Sequence, residues 1–213
     1  MTTPDHQSPT PDASRPESKD RIYRSPAGMA GGALVLALVG WLGIDALVSG
    51  NDRVPWLALA GMILIIPLVS AFTLRPAVYA NEDRLRIRNP WRVIVLPWAK
   101  VASLKSGYSN EAVDTTGAKY QLWAVPVSLR GRKKVARQQA RSTAPGGRGR
   151  THTAVQEPTP AQTDQIMGDL RELARARGAA EGSQGEVSVR WAYEVIAPVV
   201  AGAVLLAVLL AMG

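Results

Sequence analysis

Two acids stand inside apolar runs, and they are the first residues in this chain whose types could do chemistry. Asp45 lies in "AGMAGGALVLALVGWLGIDALV" (27–48) and Glu194 in "WAYEVIAPVVAGAVLLAVLLAM" (191–212). An ionisable side chain in such a run is costly unless it is paired, wetted or part of an ion or proton path. Both sit near the ends of their runs, where water is within reach. A transport path is therefore the alternative reading, and a solvated end the simpler one. Other reactive groups are sparse. Cysteine is absent, so thiolate nucleophiles, disulfides and thiolate metal sites are excluded. The two histidines, His6 and His152, fall in segments with nothing to bury. The sequence has no Gly-rich phosphate loop, no ligand pairs at metal spacing and no nucleophile elbow. The expectation is a non-catalytic protein with no cofactor and no metal.

A second group of residues could bind rather than react. Arg130, Arg132, Lys133, Lys134, Arg137, Arg141, Arg148 and Arg150 follow one another with no acid until Glu157, and they carry much of the formal net charge of +8. A solvated loop that fixes topology explains the run. Attraction to an anionic lipid surface is the functional alternative, at about 1 kcal/mol per basic residue before screening. Nucleic acid is disfavoured because no aromatic residues interleave the charge to stack on bases.

The elements that position these residues follow from apolar patterning. A hydrocarbon core is crossed by about 20 apolar residues at 1.5 Å each, and three stretches qualify: 27–48, 54–74 and 191–212. No soluble core of this size would bury three such segments. The 1–26 tail, rich in Pro, Ser, Thr and Asp, reads as disordered, and its acids and the long apolar run argue against a cleaved signal peptide. Arg15, Lys19, Arg21 and Arg24 precede the first span; Arg75, Arg84, Arg86, Arg88 and Arg92 follow the second; Arg190 abuts the third. By the positive-inside rule the N-terminus and residues 75–190 are cytoplasmic and the C-terminus lies outside, in a multi-pass protein of the cell membrane. Gly28 and Gly32, extended by Gly40 and Gly43, form a small-residue face that packs the spans together, with homo-oligomerisation as the lesser alternative.

Between the second and third spans the pattern changes to alternation. "RLRIR" (84–88) puts Leu85 and Ile87 on one face and three arginines on the other, and "NED" before it reverses the chain from a strand around "AVYA". "RVIVL" is a third strand, "KVASLKS" a fourth, and "EAVDTTGAKYQLWAV" two more around Thr116 and Gly117, giving about six short strands over 75–126. After the basic stretch of 127–158, "TPAQTDQIMGDLRELARARG" (159–178) has helix start and stop signals, and an apolar stripe of Ile166, Met167, Leu170, Leu173 and Ala174 that caps the strands. Residues 179–190 are a linker.

The order Tyr79, "NEDRLRIRNPWRVIVLPWAKVASL", "VDTTGAKYQLWAV" resembles the bacterial PH-like domains of the actinobacterial low-molecular-weight protein antigen type. That resemblance implies paired membrane spans ahead of a PH-like split barrel; with the three apolar runs and the charge pattern, the expected fold is a membrane protein with three transmembrane α-helices and a small cytoplasmic PH-like β-barrel closed by a C-terminal helix, an α+β domain. It implies no catalytic residues. The Pro97-Trp98 step enters the barrel, with Trp98 in or near its core and its N–H needing a partner. Trp91, in the turn beside Pro90, is either a plain turn or packing residue or an anchor at the membrane interface. In PH domains that bind phosphoinositides the first hairpin loop carries basic residues; here it reads Asn81, Glu82, Asp83, and two carboxylates there repel a phosphate. The function expected is a membrane-anchored PH-like interaction module, an adaptor or scaffold with a protein partner. The alternative is an accessory subunit of a membrane transport or export system.

Overall fold

The computed structural model describes residues 19–127 and 160–212. The basic run from Arg130 to Arg150, His6, His152 and the tail before Lys19 lie outside the described residues.

A short strand opens the described chain, β1 (Arg21–Tyr23), followed by helices α1 (Pro26–Ser49) and α2 (Val54–Thr73). Ser25 caps α1, its Oγ accepting from Gly28 N at 3.2 Å, and Pro26 occupies the first turn, where its missing N–H costs nothing. A tight turn at 50–53 reverses the chain, with Asp52 at φ 53°, and the Arg53 guanidinium donates to the Leu209 carbonyl. The last helix, α4 (Tyr193–Ala211), packs on α2, which also packs on α1. All three helices are long and apolar enough to cross a membrane.

Glycine decides how closely they approach. A Cβ on Gly202 would lie 2.5 Å from Leu64 N and 2.8 Å from its Cα, so at this crossing α4 rests on the backbone of α2. Gly32 and Gly43 leave room for Thr73 and Met62, so half of the small-residue face is used within the chain. Nothing lies within 4 Å of a Cβ built on Gly40.

Six strands fill the region after α2: β2 (Ala77–Ala80), β3 (Arg84–Arg88), β4 (Arg92–Pro97), β5 (Val101–Ser106), β6 (Asn110–Asp114) and β7 (Lys119–Gln121). Helix α3 (Pro160–Arg177) and strand β8 (Ser188–Trp191) complete the domain. The strands form two antiparallel sheets, β1-β2-β3-β4-β8 and β5-β6-β7. Leu85, Ile87, Ile94, Leu96, Leu104, Ala112 and Leu122 are buried between them, with Met167 and Leu170 of α3 closing the core. Ile166, Leu173 and Ala174 pack at its margin, so the helix stripe read from the sequence is the face that meets the sheets. Gly178 N bonds to Ala174 O where the helix stops.

Four expectations are corrected. The strands do not close into a barrel. Closure would pair β4 with β5 and β2 with the other end of the second sheet, but β8 occupies the free edge of β4 and β1 that of β2. The 179–190 linker is not a plain connection, because residues 188–190 pair with β4 in β8. Trp191, expected to begin the third span, ends that strand. The tail to residue 26 is not uniformly free either: Arg21 pairs with Ala80 and Tyr23 with Val78. Short strands are stable when a partner ladder is already present, and both of these meet one at a sheet edge.

Candidate functional site

Two places hold the residues singled out by the sequence, one at each end of the domain. At the end away from the helices, β4 runs into Pro97 and a single 3₁₀ turn, Trp98–Lys100, that carries the chain to the second sheet. Trp98 is 1% exposed, and its Nε1 donates to Asn81 O at 2.8 Å. Its backbone N–H donates to Asp83 O. The large ring fills the core while its one polar atom ties the β4 exit to the β2–β3 turn. Pro97, opposite Arg84 at the end of the ladder, needs no donor there.

The same turn is occupied from its other side. Glu82 Oε1 is 2.9 Å from Arg177 Nη2, and Ser183 Oγ, in a fully buried residue, donates to Glu82 O at 3.2 Å. The loop in which a PH domain would gather basic residues for a phosphate is therefore acidic and partly covered by the chain after α3.

At the helix-proximal end, arginines and aromatic rings form a collar. Trp91, half-buried, meets Phe72 of α2 edge-on with centroids 5.5 Å apart, and Phe72 meets Trp123 at the same distance. Trp91 is thus packed against the last turn of α2, with Asn89 Nδ2 donating to Gln121 O nearby. Arg75, just past α2, has a side chain only 8% exposed and stands 2.8 Å from Glu194 in the first turn of α4. Glu194, one of the two candidate path residues, is thereby half of a joint between α2 and α4. Asp45, the other, is exposed about one turn from the end of α1.

Further arginines line the outer face of the five-stranded sheet. Arg86 lies over the Tyr79 ring at 4.4 Å and pairs with Asp20 at 2.8 Å; Arg92, on the opposite face with Ile94 and Leu96, lies 5.3 Å from the Trp191 ring. Arg24 donates to Tyr79 Oη at 3.3 Å. Burial pushes the Tyr79 phenol up, but the hydrogen bonds and charges of Arg24 and Arg88 outweigh it and leave the pKa below the usual value.

The second sheet has its own polar centre, which the sequence did not signal. Asn110, 1% exposed, donates from Nδ2 to Val125 O at 3.0 Å and Pro126 O at 3.1 Å, and its Oδ1 accepts from Ser106 Oγ. Asp114 Oδ1 accepts from Thr116 N, Thr116 Oγ1 and Ala118 N, which sets the β6–β7 turn around Gly117 at φ 88°. An isolated Asn or Asp in a short strand looks like a turn former, and only the fold shows these two organising buried backbone.

Residues 75–151 match the model of the family described as bacterial PH domain. No curated protein and no solved structure matches the chain. The family match begins at the joint after α2 and leaves out β1, α3 and β8, which the fold adds to the same domain. The chain therefore joins a PH-like domain, similar to the bacterial PH domain over residues 75–151, to three helices apolar enough to span a membrane.

Proposed function

We propose that the protein is a membrane-anchored, non-catalytic PH-like interaction module that presents its domain to a protein partner at the cytoplasmic face of the cell membrane. The finer resemblance, to the actinobacterial low-molecular-weight protein antigen type, belongs to this reading. One observation carries it: the domain is mounted rather than tethered. Two residues separate β1 from α1, three separate α2 from β2, and one separates β8 from α4. A mount of this kind holds a surface at fixed height and orientation, which suits an adaptor. Orientation is supported by charge, since Arg24, Arg75 and Arg190 sit at the domain-side ends of the helices. The basic residues of 130–150 add attraction to anionic lipid in this reading, and nucleic acid has no role. Glu194 favours it over a transport subunit, because its carboxylate is engaged by Arg75 at a helix end.

The test is co-purification from native membranes in mild detergent. The full chain is compared with one in which a short Gly/Ser linker replaces residues 75–191, a replacement the Arg75–Glu194 proximity makes feasible. A partner lost with the domain supports the adaptor; partners that persist move the association to the helices and favour the transport reading. Orientation is checked separately: a membrane-impermeant thiol reagent on intact cells labels Gly213→Cys and spares Ser109→Cys, and reverse labelling overturns the topology.

A further inference from the structure

The outer face of the five-stranded sheet carries more positive charge than its own carboxylates engage. Its register aligns Tyr79 with Arg86, Ala77 with Arg88, Arg88 with Val93, and Val93 with Arg190. Cross-strand partners share a face and neighbouring strands lie about 4.8 Å apart. Arg88 and Arg190 therefore flank Val93 at about twice that spacing, within reach of one ligand for two long side chains. Between the sheet and the helix ends lies a recess of about 250 Å³ lined by Arg75, Tyr79, Arg86, Arg88, Val93 and Glu194. Among the described residues, ion pairs engage Arg75 and Arg86, and none engages Arg24, Arg88 or Arg190.

Location identifies the ligand. Arg24 adjoins the cap of α1, Arg75 lies two residues beyond α2, and Arg190 lies three residues before α4. All three helices meet the domain at this level, with exposed Ile22 in register with Tyr79 on the same face and exposed Tyr193 at the start of α4. Guanidinium is the group best suited to grip a phosphate through paired N–H donors. We infer that this face, from Arg24 over Tyr79 and Arg88 to Arg190, binds the phosphate of an acidic phospholipid head group in the leaflet next to the domain. The inference rests on the membrane reading above. It concerns the end of the hairpin opposite the acidic Asn81-Glu82-Asp83 turn, and residues other than the basic run of 130–150.

The full chain is reconstituted in nanodiscs of phosphatidylcholine with a minority of phosphatidylglycerol, and lipids retained on the released protein are counted by native mass spectrometry. Wild type is expected to retain phosphatidylglycerol preferentially. Arg88→Gln/Arg190→Gln loses that preference by about tenfold or more, while neutralising the eight basic residues of 130–150 leaves it in place. Arg190→Gln alone, on an exposed edge, gives a partial loss and guards against misfolding of the double variant. An unchanged preference in both variants, or one lost only with the basic run, overturns the site. Displacement by millimolar inorganic phosphate, or saturation by an acidic peptide in its place, assigns the face to another ligand and overturns the lipid assignment. A chain that alkaline carbonate strips from bilayers refutes the membrane reading instead.

Discussion

Removing Glu194 and removing Arg75 should have unequal effects, because the two halves of their ion pair live in different environments. Arg75 is 8% exposed and Glu194 62%. Glu194→Gln leaves a guanidinium mostly out of water with its counter-charge gone. Breaking one side of a fully buried pair costs about 3–5 kcal/mol and of an exposed pair about 0–1, so a half-solvated pair should cost about 2 kcal/mol. For a chain of this length that is a fall in Tm of about 4–8 °C. Arg75→Met/Glu194→Gln should recover much of the loss, since the apolar stem packs in the same space without a charge to orphan. It should still fall short of wild type, because Arg75 Nε also donates to Asn89 O at 3.3 Å, a long bond contributing about 0.5–1 kcal/mol. Thermal unfolding of the purified chain and both variants in nonionic detergent at low salt measures the order. A double variant no more stable than Glu194→Gln alone would refute the claim that an orphaned arginine is the cost.

Trp98→Phe, which keeps most of the volume but leaves Asn81 O without its donor, should cost about 1–2 kcal/mol, and Trp98→Ala about 3–5; equal losses in thermal unfolding would mean that the indole N–H does not matter. The Asp114 carboxyl is held below its usual 3.8 chiefly by the Thr116 hydroxyl, with burial opposing and the Ala118 and Thr116 amides assisting. Its pKa is depressed on folding, so its stabilising effect is present above pH 3.8 and is lost as pH falls below that value. Asp114→Asn should therefore flatten the decline in Tm over that acid range, and an unchanged slope would exclude the carboxylate as its source.

What could be read from the sequence was whatever repeats. The spans show as unbroken apolar runs, β3 shows as Leu85 and Ile87 alternating with three arginines, and α3 shows as a stripe at three- and four-residue spacing. Trp98 was legible because a proline ends a dense apolar strand beside it. β1 and β8 were not, because "RIY" and "SVRW" are too short and too exposed to carry a period. Their partners lie more than fifty residues away, so only the assembled ladder selects them. The barrel expectation failed for the same reason, since those two strands take the edges that closure would use. The Phe72, Trp91 and Trp123 cluster unites α2, the β3–β4 turn and the segment after β7, three segments with no common pattern. Glu82 was read only as a charge that repels phosphate, whereas the fold uses it to hold Arg177.

The positions of the helix-linked strands decide how the domain can move. β1 and β8 are the two edges of one five-stranded sheet, and β2 lies beside the first. Tilting the domain away from the helices would have to open the β1–β2 or β4–β8 ladder, or bend a joint of one to three residues. Loosening any one joint leaves the other two in place, and Arg75–Glu194 locks the pair between them. A hinged sensor would concentrate its freedom in one long linker; here the sheet itself bridges all three helices. A ligand or partner that engages the domain therefore meets a surface held in place, such as the arginine face at the helix ends, rather than one that swings on a hinge.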